Sequence, residues 1–171
     1  SKLTTISSGD LTATVDSMGA QLMSLTCAGA EYLWQGDPRF WPRRAPVLFP
    51  IVGCLRGDES MSAAGPVHLR RHGLARTNEH EAKEVTGSSV TYELRSGEAT
   101  RELYPFDFTL NMAYSLDGTS LTQSFAVTNT GKVDLPFTLG GHPAFNVPMP
   151  GAHGESFDDY ALVFAQRWSP E

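Results

Sequence analysis

The chain has 171 residues, of which 40% are apolar and 19% are charged, a balance typical of a folded globular protein. Its formal net charge of −6 argues against a dedicated nucleic-acid-binding protein, which usually carries a strongly basic face. The apolar runs are too short to span a bilayer, and the polar opening SKLTTISSGD lacks the apolar core of a secretion signal. The two cysteines, Cys27 and Cys54, form no disulfide or zinc pattern, so we expect a reduced, cytoplasmic protein. From the negative charge and the short apolar runs, we expect neither nucleic-acid nor membrane partners.

Strands are the elements that the sequence predicts most clearly, because apolar and polar residues alternate with a period of two. In chain order, this alternation marks residues 11–15, 90–94, 108–116 and 120–128. The last two segments flank Asp117-Gly118, a tight-turn signal, and are predicted to form an antiparallel hairpin. Since no segment carries a sustained 3.6-residue apolar stripe, the predicted fold is all-β, a sandwich or an open barrel.

The segment GDPRFWPRRAPVLFP, residues 36–50, differs from its surroundings in its prolines, arginines and aromatic residues. Proline is excluded from central strands, so we predict a long irregular loop or a sheet edge, where binding residues are common. Within it, Arg43 and Arg44 suit hydroxyl pairs, carboxylates or phosphates, and Trp41 offers an apolar face to a sugar ring. The alternative is that both arginines are solubilising surface charges.

The motif HLRRHGLAR is rich in groups that bind ligands or metals. If its first part is extended, alternate side chains share one face, namely His68, Arg70 and His72, with Arg76 just beyond. Two imidazoles on one face could bind a metal, but no carboxylate or cysteine follows before Glu79, and a site needs three or four ligands. We therefore predict no metal site and favour solvated surface residues at His68 and Arg70.

The motif TLGGHPAF places His142 between a glycine pair and Pro143. The proline disfavours helical backbone at the residue before it, and the two glycines permit close approach of another backbone or of a ligand. An imidazole held in this way can donate or accept a proton near neutral pH. The alternative is that the ring only hydrogen-bonds a loop carbonyl.

Taken together, four motifs carry a resemblance: RRAPVLFPIVG, RRHGLAR, YPFDFTLNMAYSL and LGGHPAFNVP. Over about residues 30–165 the sequence resembles the aldose 1-epimerase family, and more narrowly its branch that includes hexose-6-phosphate 1-epimerases. The resemblance implies a galactose-mutarotase-like β-supersandwich that interconverts α and β anomers of an aldohexose or hexose phosphate, without a cofactor or a metal. It also implies that His142 is the general acid, that His72 and Arg76 bind substrate, and that Arg44 contacts the sugar or its phosphate.

The family's general base, a glutamate in the C-terminal part, has no matching motif in this chain. The late carboxylates lie outside any such motif: Glu155, Asp158, Asp159 and Glu171. We therefore predict that residues 1–171 are the N-terminal portion of one longer domain, and that unpaired sheet edges favour self-association. The alternatives are a carbohydrate-binding β-domain without catalysis and a β-domain without a ligand.

Overall fold

The computed structural model describes residues 1–166, and its architecture is antiparallel β. The first four-stranded sheet has the order β1-β2-β3-β4 and consists of β1 (Leu3–Ser8), β2 (Leu11–Asp16), β3 (Gln21–Cys27) and β4 (Ala30–Glu31). The second has the order β11-β10-β9-β8 and consists of β8 (Glu81–Val85), β9 (Ser89–Arg95), β10 (Phe108–Asp117) and β11 (Ser120–Asn129). The all-β prediction is confirmed.

Smaller elements connect the sheets. Two short ribbons are formed by β5 (Val47–Leu48) with β12 (Gly140–Gly141), and by β6 (Glu59–Ser62) with β7 (Gly65–His68). The single α-helix of residues 1–166, α1 (Glu98–Leu103), is too short to reveal itself as an apolar stripe in the sequence. Three 3₁₀ turns cover Arg56–Asp58, Ala75–Thr77 and Phe157–Asp159. None of the helices in the described part of the chain is both long and apolar enough to cross a membrane.

The β10–β11 hairpin forms where the alternation predicts it. Its register is unbroken over ten pairs, from Phe108 opposite Asn129 to Asp117 opposite Ser120, so the turn residues are Gly118 and Thr119, one residue beyond the predicted Asp117-Gly118. The residues of β10 that alternate toward the core are all buried: Phe108, Leu110, Met112, Tyr114 and Leu116. The same alternation in β2 and β9 confirms the strands predicted at 11–15 and 90–94.

The two four-stranded sheets face each other across the core. The buried Tyr92 donates a hydrogen bond from its hydroxyl to Thr4 of β1, at 2.9 Å, and the hydroxyl of Tyr114 donates to the carbonyl of Ala20, at 2.6 Å. Burial raises the pKa of both phenols, so each stays protonated and remains a donor. Two tyrosine hydroxyls of the second sheet thus form hydrogen bonds with β1 and with the residue before β3, and neither buried hydroxyl lacks a partner.

Residues 36–50 divide into an exposed part and a buried part. The prediction of irregular structure holds for most of the segment, but its end enters the core, where Val47 and Phe49 are completely buried. The carbonyl of Phe49 accepts backbone hydrogen bonds from Leu74 (2.9 Å) and Ala75 (3.1 Å). Gly73 has φ of +73° and packs so tightly that a Cβ there would lie 2.3 Å from that carbonyl oxygen. This contact brings the HGLAR motif against the PVLFP motif.

Candidate functional site

His142 follows directly from the short strand β12. That strand pairs with β5. A Cβ on Gly140 would lie 3.1 Å from a methyl group of Val52, so the glycine allows β12 to pack closely against Val52. The backbone N–H of His142 donates to the carbonyl of Pro46, at 3.1 Å. The histidine therefore lies at the end of a pairing between two of the sequence motifs.

The imidazole of His142 stacks on the indole of Trp41. Their ring centroids are 4.8 Å apart and their planes differ by 29°. Within residues 1–166 the His142 ring makes no side-chain hydrogen bond, which removes the alternative in which it only satisfies a loop carbonyl. One face of the Trp41 indole is therefore covered by the histidine, and the contact of Trp41 with a sugar stays a prediction.

His72 lies beside His142, with 6.3 Å between the ring centroids and an interplanar angle of 71°. The expectation that His72 shares a strand face with His68 and Arg70 is wrong, because β7 ends at His68 and the chain then turns. His72 itself has φ of +65°, a left-handed conformation that is costly for a residue with a side chain. The turn separates the two histidines of the motif and gives them different surroundings.

A metal site in this motif is also unsupported by the geometry. His68 is exposed and pairs with Glu59, with 3.5 Å between Nδ1 and a carboxylate oxygen. No group of three or more histidine, cysteine, aspartate or glutamate side chains converges anywhere in residues 1–166. The arrangement offers hydrogen-bond donors and charge rather than a ligand set.

The protonation state of His72 follows from its hydrogen bond to Gly53. The Gly53 backbone N–H donates to Nδ1 of His72, at 3.1 Å, so Nδ1 must present its lone pair. Desolvation, followed by the charges of Arg76, Arg71 and His142, lowers the pKa of His72. The neutral ring with its proton on Nε2 is therefore favoured, and it can donate to a ligand oxygen.

Arg76 has a partly buried guanidinium group that is only partly hydrogen-bonded. Its Nη2 donates to the carbonyl of Arg71, at 2.7 Å, and its Nε is buried without a hydrogen-bond partner. Burial, followed by the charges of Arg43 and Arg71, lowers the pKa of Arg76. None of these three arginines forms an ion pair with a carboxylate in the described part of the chain. An anionic ligand would relieve this concentration of positive charge.

Arg44, which the sequence motif selects, has its side chain engaged elsewhere. Its Nη1 donates to the carbonyl of Met23 (2.6 Å) and to Oε1 of Gln35 (2.7 Å). Its own backbone carbonyl accepts from Ala144, at 2.9 Å, so the residue braces the segment that carries His142. The residue pattern offered Arg43 and Arg44 equally as ligand-binding groups, and only Arg43 acts on the pKa of Arg76.

A cleft of about 670 Å³ adjoins Arg76. Its ionisable lining comes from three segments and comprises Arg43, Asp58, Glu59, His68, Arg70 and Arg76. Neither His72 nor His142 lines the cleft, so the histidine pair lies outside it. Arg76 connects the two, because it lines the cleft and its charge lowers the pKa of His72. The volume is within the range of small-molecule sites.

Two carboxylates near the end of the chain, Glu155 and Asp159, are engaged locally. The Tyr160 hydroxyl donates to Glu155, and the Ser156 backbone N–H donates to Asp159, at 2.7 Å. Glu171 lies outside the described residues. Within residues 1–166 no carboxylate forms a hydrogen bond or an ion pair with the side chain of His142 or His72. The site therefore combines a candidate proton donor and cations without an adjacent carboxylate.

Comparisons with known proteins agree with the motifs. The family model of aldose 1-epimerase matches residues 2–166. The protein LacX (plasmid) of Lactococcus lactis subsp. lactis is 39% identical over 164 residues, which cover 91% of this chain and 54% of LacX. A galactose mutarotase related enzyme from Lactobacillus acidophilus superimposes with a TM-score of 0.85 at 38% identity, covering 91% of this chain and 52% of that one.

A galactose mutarotase-like protein from Lactobacillus casei has a TM-score of 0.82 at 35% identity, covering 85% of this chain and 50% of its own. The expected galactose-mutarotase-like fold is confirmed by these structures. The chain spans about half the length of the curated relatives it matches. Since the family model covers nearly all of the chain, the protein belongs to the aldose 1-epimerase family.

Proposed function

We propose that this chain provides the acid side of an aldose 1-epimerase site, which interconverts the α and β anomers of an aldohexose or its phosphate. The observation that carries the proposal is the juxtaposition of His142 and His72, with 6.3 Å between their ring centroids. His142 is exposed, stacked and free of side-chain hydrogen bonds in the described residues, as a proton donor to a bound ligand must be. His72 supplies a fixed Nε2–H donor next to it.

The reaction needs one proton donor and one proton acceptor. Protonated His142 gives its proton to the ring oxygen while a base removes the proton of the anomeric hydroxyl, so the C1–O5 bond breaks and an open-chain aldehyde forms. Rotation about the C1–C2 bond presents the other face of the aldehyde, and the reverse proton transfers close the ring. A donated hydrogen bond from His72 to a sugar hydroxyl holds the substrate during the rotation. We propose that the general base is a carboxylate that does not belong to residues 1–166.

The arginines favour a phosphorylated sugar as the substrate. Arg43 and Arg71 lie close enough to Arg76 to lower its pKa, and none of the three arginines forms an ion pair with a carboxylate in the described residues. Guanidinium groups bind phosphate by paired hydrogen bonds, and the partnerless Nε of Arg76 is a further donor once the side chain adjusts. Arg44 contributes by bracing the His142 segment rather than by touching the ligand.

The experiment uses the longer domain that also supplies the base, and it compares freshly dissolved α-glucose with α-glucose 6-phosphate, with anomer interconversion followed by NMR. We expect the phosphorylated sugar to be the better substrate and Arg76→Met to remove most of that preference. Arg101→Met is the matched control, because Arg101 of α1 forms an exposed ion pair with Asp107. Equal rates for both sugars in the parent and in Arg76→Met would contradict the choice of phosphate.

A second candidate function is sugar binding without turnover. It is favoured by the absence, within residues 1–166, of a carboxylate bonded to the His142 or His72 side chains. This function predicts heat of binding in calorimetry together with an interconversion rate equal to that of buffer. A rate above buffer that depends on His142 excludes it.

We also propose that the edge strand β11 pairs with another chain. This strand runs for ten residues without a bulge, a proline or a charged residue, and its half-buried side chains include Leu121, Phe125 and Val127. The opposite edge of the same sheet, β8, carries Glu81, Lys83 and Glu84, which discourage edge pairing. This open edge is the basis for proposing self-association through β11. It is also the basis for proposing that residues 1–171 are the N-terminal portion of one longer domain.

A further inference from the structure

We propose that Trp41 is a positioning residue for His142: the indole fixes the plane in which the imidazole presents its proton. The two rings stack with centroids 4.8 Å apart and planes 29° apart. Only the catalytic meaning of this contact rests on the proposed function. The contact itself can be tested without any turnover.

The backbone of Trp41, from which the indole projects, is held by two hydrogen bonds. The Trp41 N–H donates to the carbonyl of Asp37, at 2.9 Å, and the Trp41 carbonyl accepts from the indole Nε1 of Trp34, at 2.8 Å. The Trp34 backbone N–H donates in turn to the carbonyl of Ala144, at 2.9 Å. Ala144 is two residues beyond His142, so these hydrogen bonds connect Trp41 to the short segment that carries the histidine.

A second aromatic ring contacts the histidine. His72 meets the His142 ring edge-to-face at 6.3 Å, and His72 is itself fixed by its bond from the Gly53 N–H. The imidazole of His142 therefore contacts both an indole face and a second imidazole. The residue is exposed to solvent, so a ligand can approach it.

This arrangement matters because proton transfer is sensitive to geometry. A histidine on an exposed loop samples several side-chain rotamers, and only some of them aim a ring nitrogen at the substrate oxygen. A misplaced catalytic group costs rate much more than it costs binding. The stacked indole removes those unproductive rotamers without touching the substrate, so its effect falls on kcat rather than on KM.

The test compares Trp41→Leu, which removes the ring, with Trp41→Phe, which keeps an aromatic face. Phe40→Leu is the matched control, since Phe40 is a neighbouring exposed aromatic residue that contacts Trp34 and not His142. The first measurement is the NMR spectrum of the histidine ring protons, with the His142 signals identified by their loss in His142→Asn. The second is the kcat and KM for anomer interconversion, and urea unfolding verifies that each variant is folded.

We expect the His142 ring protons to be shifted upfield by the indole, to lose that shift in Trp41→Leu, and to keep most of it in Trp41→Phe and Phe40→Leu. We expect kcat to fall roughly 10- to 100-fold in Trp41→Leu with little change in KM, and Trp41→Phe to recover most of the rate. The proposal is overturned if folded Trp41→Leu leaves the His142 signals unchanged, or if KM rises while kcat stays constant, since Trp41 would then bind the sugar directly. If no variant turns over sugar, the NMR comparison alone decides, and the proposed function fails separately.

Discussion

The backbone N–H of Gly53 donates to Nδ1 of His72, with a distance of 3.1 Å, and thereby selects the Nε2–H tautomer of the ring. Burial and the neighbouring charges of Arg76 and Arg71 lower the pKa of His72, so this tautomer stays neutral. We expect the ¹⁵N shifts of His72 to report a protonated Nε2 and a titration below the ordinary value of about 6.5. A proton on Nδ1 of the neutral ring, or a titration above that value, contradicts the assignment.

Gly73→Ala is expected to destabilise the protein by about 2–4 kcal/mol, because the new Cβ meets the Phe49 carbonyl oxygen and the position has φ of +73°. The free energy of unfolding in urea measures this cost. Gly87→Ala is the matched control, since a Cβ at that position would have no atom within 4 Å and its φ is not positive. We expect that variant to stay within about 1 kcal/mol of the parent. Equal stability of the two variants would mean that Gly73 is not closely packed.

The packing at Gly73 also explains which parts of the site the sequence could predict. Alternation of apolar residues indicated β2, β9 and the β10–β11 hairpin, because strands with one buried face impose that pattern directly. The turn at His72 has no such signal, since its conformation depends on contacts with Gly53 and Phe49, which are distant in sequence. The extended reading of HLRRHGLAR failed for that reason.

The roles of neighbouring residues were likewise hidden in the sequence. Motif resemblance pointed to His142, His72 and Arg76, and the structure brings these three together around Trp41 and Arg43. The direction of each side chain in an arginine pair depends on the local backbone, which no periodic pattern predicted in the 36–50 segment. Stacking of Trp41 on His142 also required knowledge of how β12 pairs with β5.

Acidification is expected to lower stability through His80, which is 2% exposed. Its Nδ1 lies 3.0 Å from the Asn78 carbonyl, and its Nε2 is buried without a partner in the described residues. Burial lowers the pKa of His80, and this outweighs the opposing effects of Asn78, Glu79 and Ser17. The unfolded chain therefore takes up the proton first, so the stability is complete above about pH 6.5 and is lost as the pH falls through the lowered folded value.

The measurement for His80 is the free energy of unfolding in urea at about pH 8 and about pH 5.5. We expect the free energy of unfolding to fall less between these pH values in His80→Gln than in the parent. This expectation does not depend on how stable the variant is at the higher pH. His153→Gln, at an exposed position, should keep the parent's loss. An unchanged pH dependence in His80→Gln would mean that other groups cause the acid sensitivity.

Association through β11 is expected to depend on its lack of charge. Ala126→Lys places a charge on the exposed face of the open strand, where lysine discourages edge pairing, so we expect it to lower the association constant at least tenfold, or by ~1.4 kcal/mol. Ala82→Lys makes the same change on the already charged strand β8 and serves as the control. Sedimentation velocity over a concentration series compares the two. A monomeric parent, or equal weakening by both variants, argues against β11 as the contact.

The central claim is that His142 donates a proton to the sugar ring oxygen. Its most direct test is the rate at which freshly dissolved α-glucose 6-phosphate reaches anomeric equilibrium, measured by NMR with the parent protein and with His142→Asn, each prepared as the longer domain that also supplies the base. We predict a parent rate well above that of buffer and a loss of about 10²–10⁴-fold in the catalysed rate for the variant, the usual contribution of a general acid. A folded His142→Asn protein that keeps the full parent rate would contradict the account.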